Sequence, residues 1–213
     1  MKRTSLIKNW AELMQPTPGG EHQFAALKWL LVAYQEPHRA YHTLNHLQDL
    51  VDQWEQHKAQ LVQPIAVGLA LWFHDCVYDS HRSDNEQASA RMAQEWLSKA
   101  DVSPSRIAQV AHLVLLTDGH QPVHGTYDEH WLLDADLSIL GQESARYLQY
   151  AREIRKEYAF IPWPEYQSGR RAVLKRFLER PQLYFTEEYR DQYEEQARRN
   201  LQQEWETLDR EEE

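Results

Sequence analysis

PIAVGLALWFHD, residues 64–75, carries ten residues without a charge and then two that ionise. Its apolar positions do not alternate with polar ones, and proline at its head suits the first turn of a helix. The run is shorter than the roughly 18 apolar residues of a membrane-spanning helix, so it reads as a helix buried inside a protein. His74 and Asp75 therefore stand at the end of a buried segment, where ionisable side chains need a reason to be.

Working outward, glycine and proline are few and fall between periodic segments, as helix punctuation does. PTPGG at 16–20 separates a short first helix from one at about 21–35, which Pro37 ends. A third helix is expected from about Tyr41 to Lys58, with Leu44, Leu47, Leu50, Val51 and Trp54 on one stripe. Asp84 is a candidate cap for a helix at about 84–100, and Ser103-Pro104 for one reaching about Thr117. After the loop DGHQPVHGTYD, helices are expected around 129–140, then to about Phe160, at about 166–180, and from Thr186 onward. Strand-like alternation, internal repeats and a dividing linker are all missing from the pattern. The expectation is an all-α fold, one domain over 1–213 with additional C-terminal helices.

The composition narrows the partners. The 213 residues are 42% apolar with eight Trp and eleven Tyr, enough for a substantial core. The net charge of -10 makes counterion release on a nucleic-acid backbone an unlikely driving force, so long DNA or RNA is not an expected partner. A single cysteine, Cys76, leaves no intrachain disulfide, and it reads as a small buried hydrophobe. MKRTSLIKNW lacks the apolar core of a signal peptide, so a cytoplasmic protein away from membranes, monomer or homodimer, is expected.

Four short pieces carry metal-ligand chemistry: His42 and His46 in YHTLNH, His74-Asp75 in WFHDCVYD, and Asp136 in LLDADLSIL. Helical residues four apart lie on one face about 5–6 Å apart, which would point His42 and His46 into one cavity. The alternative is a solvated face near a helix start. Burying the His74-Asp75 pair without partners costs on the order of several kcal/mol. A cation supplies the partner; a helix C-cap or a neighbouring backbone is the alternative. Asp134 and Asp136 cannot share a helical face, so one faces inward and the other outward or into a cap. Nitrogen and oxygen donors of this mix suit Mn, Fe, Mg, Co, Ni or Zn. Water acidified by such an ion can attack phosphorus.

His46, His74, Asp75 and Asp136, in this order and in a helical setting, resemble the H…HD…D set of the HD-domain superfamily of metal-dependent phosphohydrolases. YHTLNH is similar to the YHN-x-x-H segment of its cyclic-nucleotide phosphodiesterase branch, with Thr43 in place of asparagine. WFHDCVYD, NEQASA, DADLSILG and ARRNL are similar to motifs of a group of predicted HD phosphohydrolases, so the resemblance spans roughly residues 37–205. It implies an HD-type helical bundle with one or two divalent ions per chain, held by His46, His74, Asp75 and Asp136. It implies His42 as the acid that protonates the leaving oxygen, and Asp75 as the residue that orients or bridges. The substrate class it implies is a nucleotide or other small phosphorylated metabolite.

Around this set, Arg39 is a candidate for holding a substrate phosphate, or else a surface arginine. Glu86 is a candidate carboxylate behind the ligands, or else the partner of Ser83 in a capping box. His112 and His120 are candidates for a second metal or for phosphate contact, His120 the stronger because it enters a loop. His124 and His130 rank below them. Two rival readings remain open: a mixed-valent di-iron oxygenase of HD type, marked by two irons and oxygen uptake, and a metal-stabilised binding or regulatory module without turnover.

Overall fold

Every regular element among the described residues of the computed structural model (residues 2–15, 17 and 20–210) is helical, as the patterning predicts. Pro16, Pro18 and Gly19 of the PTPGG segment and the terminal acidic residues 211–213 lie outside the described residues. The helices are α1 (Lys2–Met14), α2 (Gly20–Ala33), α3 (Leu44–His57), α4 (Pro64–Phe73), α5 (Asn85–Lys99), α6 (Pro104–Leu115) and α7 (Tyr127–Leu137). A 3-10 turn, Ser138–Gly141, leads to α8 (Ser144–Glu157) and α9 (Trp163–Leu178). The chain closes with α10 (Glu187–Tyr189), a π turn (Arg190–Glu194) and α11 (Glu195–Arg210). Two compact units result, Met1–Leu132 and Leu133–Glu213. The division falls inside α7, so no proline- or glycine-rich linker marks it in the sequence.

The first unit is organised around α4, whose residues from Ala66 to Phe73 are all buried. A helix that is apolar all round belongs at a centre, and α1, α3, α5 and α6 pack on it. A Cβ on Gly68 would come within 2.5 Å of the Leu13 side chain and 3.1 Å of Trp54, so the missing side chain lets α1 and α3 close in. The indoles are anchored through their N–H groups: Trp72 donates to Asn9 Oδ1 (2.8 Å) and Trp54 to the Pro64 carbonyl (2.9 Å). Each large side chain buried here contributes about 1.5–3 kcal/mol. The C-terminal end of α4, with His74 and Asp75, is thereby fixed from several sides.

The second unit is held by α11 against α9 and the 3-10 turn. Ala197, Leu201 and Leu208 form the buried stripe of α11, which packs within its own unit. At its centre the Arg170 guanidinium makes a two-pronged bond to Glu204, 2.6 and 2.9 Å, and the Tyr147 hydroxyl donates to the same carboxylate. Asp134 is fully buried and accepts from the amides of Phe185 (2.8 Å) and Thr186 (2.7 Å) and from the Thr186 hydroxyl. Burial pushes its carboxyl up to about 6 against the pull of those bonds. Of the two aspartates, Asp134 faces inward and fastens the start of α10, where Thr186 is the N-cap. Asp136 is half-buried.

Helix boundaries follow the proline and cap signals with one consequential difference. The third helix begins at Leu44, not near Tyr41. Thr43 is extended (φ -118, ψ -179) and its side chain accepts from the Asn45 amide, which makes it the N-cap. His42 is therefore in the approach to α3, off the helical face that carries His46. Ser83 likewise precedes the N-cap of α5, Asp84, so the capping box with Glu86 does not form.

Candidate metal centre

His46 is the third residue of α3, and His74 and Asp75 follow the last turn of α4. Both imidazoles are buried and Asp75 is half-buried. His46 Nε2 lies 3.2 Å from His74 Nε2, His74 Nε2 lies 2.9 Å from Asp75 Oδ2, and His46 Nε2 lies 3.7 Å from that oxygen. Donors about 2.1 Å from one ion stand roughly 3.0–3.4 Å apart in octahedral or tetrahedral arrangement. The three spacings bracket that range, so the residues fit a divalent cation.

The tautomer of His74 supports the fit. Its Nδ1 lies 2.9 Å from the Leu71 carbonyl, an acceptor only, so Nδ1 carries the proton. Nε2 is then turned toward Asp75 and His46 with its lone pair. Nitrogen and carboxylate lone pairs that face one another at 2.9 Å call for a cation between them, a metal ion or a proton. A backbone carbonyl holding one ring nitrogen while the other faces a site is the usual support of a metal-binding histidine.

His42 stands beside this set. Its ring is half-buried and stacked on Tyr78, centroids 3.9 Å apart, with the His46 ring at 6.0 Å. The loop before α3 brings the two histidines together, where the sequence had suggested one helical face.

Arg39 is not a surface arginine. Its side chain is 0% exposed, and all five N–H donors are engaged. Nε and Nη2 reach Glu36 (3.1 and 3.0 Å), Nη1 reaches the carbonyls of His42 (3.1 Å) and Asp75 (2.7 Å), and Nη2 reaches that of Cys76 (3.2 Å). No donor remains for a substrate phosphate. Arg39 clamps the segment before α3 to the segment after α4, which sets His42 and Asp75 in register.

The expected auxiliary residues separate into two places. Glu86 is half-buried; burial raises its pKa, the carboxylates of Asp118 and Asp75 add to that, and His120 opposes it. Glu86 thus feels the charges of both Asp75 and His120. His120 adopts a left-handed conformation (φ 51) in the loop after α6. His112 is instead engaged by Glu129, Nε2 to Oε1 at 2.8 Å, with the His124 ring 5.0 Å away.

Glu129 is a candidate ligand that the sequence does not single out, and His124, ranked there below His112 and His120, joins it. Glu129 is buried, and its Oε2 accepts the amides of Val123, His124 and Gly125 at 3.0, 2.9 and 3.0 Å. Burial alone would raise its pKa, but the bonds from His112 and those amides outweigh burial and hold the carboxyl below its ordinary value. Among the described residues, two groups of side chains could hold a metal ion, one that includes His46 and His74 and one of His112, His124 and Glu129.

Cys76 is buried, and burial pushes its thiol up to about 12, which leaves no activated thiolate. Asp136 is carried by α7 in the second unit. No helix among the described residues is long and apolar enough to cross a membrane. Comparison with known proteins finds no family model, no curated protein and no solved structure that matches the chain.

Proposed function

We propose that the chain is a metal-dependent phosphohydrolase of HD type, acting on a small phosphorylated molecule such as a nucleotide. The observation that carries the reading is the convergence of His46 Nε2, His74 Nε2 and Asp75 Oδ2 at 2.9–3.7 Å, with His74 held in the metal-binding tautomer by Leu71. Asp136 enters the reading on the motif resemblance.

His46, His74 and Asp75 would hold a divalent ion, which would supply a Lewis acid and lower the pKa of a bound water. Asp75 presents its carboxylate at the same point and orients the attacking water by accepting a hydrogen bond. His42, to the side of the ligands and stacked on Tyr78, delivers a proton to the leaving oxygen. Arg39 keeps both in place through their backbone carbonyls.

The test is a screen of chelator-stripped protein with Mn, Co, Ni, Mg, Fe and Zn against nucleotides, cyclic nucleotides and simple phosphoesters. The reading expects hydrolysis with at least one metal and none without. Turnover of no phosphoester under any metal would overturn it.

A further inference from the structure

The His112–His124–Glu129 cluster shares no residue with the His46–His74–Asp75 centre. We propose that it is a second, structural cation site for a borderline divalent ion of the zinc class, which fastens the 118–126 loop to α6 and α7. This inference does not rest on the proposed hydrolase activity.

One donor atom from each residue lies within 4.8 Å of the others. The carboxylate is preorganised: Glu129 is 2% exposed, and three loop amides grip Oε2, leaving Oε1 aimed at His112. The loop is shaped to return His124 over α6. Gly119, His120 and Gly125 all take left-handed conformations (φ 76, 51 and 65), and the His112 and His124 rings lie 31° from parallel. The His112 side chain is 35% exposed and His124 is exposed, so an ion can enter from solvent.

A carboxylate accepts only, so a proton on His112 Nε2 now joins His112 to Glu129. A cation takes the place of that proton and gains the imidazole of His124. Two imidazoles with one carboxylate favour Zn, Ni, Co or Cu over Mg or Ca, and three protein donors leave a position for water. Glu129 is buried and gripped by amides, which suits a fastening role.

The test loads the full-length protein with Zn2+, desalts it and measures bound zinc per chain by mass spectrometry, alongside amide exchange at Val123–Gly125. His124→Ala removes an exposed side chain and is expected to bind one zinc fewer than wild type. Zinc is expected to slow exchange at those amides in wild type and not in H124A. His74→Ala, or Asp75→Asn if H74A does not fold, is expected to retain the His124-dependent zinc. Equal zinc in wild type and H124A overturns the proposal, as does loss of all zinc in the folded H74A or D75N protein. Failure of the first centre would show separately, as zinc content unchanged in H74A or D75N.

Discussion

Arg39→Lys separates a clamp from a phosphate-binding residue. Lysine keeps the charge but offers three donors from one point, whereas the guanidinium spans the carbonyls of His42, Asp75 and Cys76 and the carboxylate of Glu36. The pair with Glu36 counts for little because that side chain is 44% exposed. The carbonyls matter more, since an acceptor left unsatisfied in a buried place costs about 1–3 kcal/mol. If the ammonium satisfies one of the three, two lose this donor, and the variant loses about 2–6 kcal/mol. For a chain of this size that is roughly 4–24 °C in Tm. Urea unfolding and a thermal melt of the two proteins read it directly. Stability within about 0.5 kcal/mol of wild type, the range of an ordinary surface change, would refute the clamp. A raised KM toward phosphoesters with unchanged stability would restore Arg39 as a substrate contact.

Three further predictions concern packing. A Cβ on Gly141 would meet the Tyr193 carbonyl at 2.7 Å and its Cα at 2.9 Å, so Gly141→Ala is expected to cost about 1–3 kcal/mol. In contrast, Gly169→Ala in α9 meets nothing within 4 Å and is expected to gain about 0.4–1 kcal/mol; paired urea titrations check both. Glu204→Ala strands the Arg170 guanidinium, whose side chain is 7% exposed, and should lower stability by about 3–5 kcal/mol in the same assay. Cys76, its thiol pushed up to about 12, should resist a thiol-specific disulfide reagent at pH 8 until the protein is unfolded; rapid labelling of the native protein would contradict that.

The fold was legible where punctuation and patterning are local. Pro64 and Pro104 stand at the heads of α4 and α6, Thr186 caps α10, and the uncharged run of α4 marks the centre of its unit. The start of α3 was legible in principle, because Thr43 is an N-cap residue type, but the histidine spacing invited a helix running through it. What stayed hidden was set by partners far along the chain. Arg39 is satisfied by carbonyls more than 30 residues away, and Asp134 by amides at 185 and 186. His46 and His74 could be named as donors from the sequence, yet their 3.2 Å approach depends on how α3 and α4 meet. In the sequence nothing sets Glu129 apart from Asp128 beside it in the first turn of α7. Its grip on three amides of the preceding loop needs the loop's left-handed residues, which only the backbone reveals.

The claim at the centre of this account is that His46, His74 and Asp75 hold the ion on which hydrolysis depends. Metal content and phosphoester turnover, measured together on His74→Ala and Asp75→Asn in an H124A background, test it most directly. The account predicts that both variants lose metal and turnover together while the H124A parent keeps its activity. Full metal content with full turnover in both variants would contradict it.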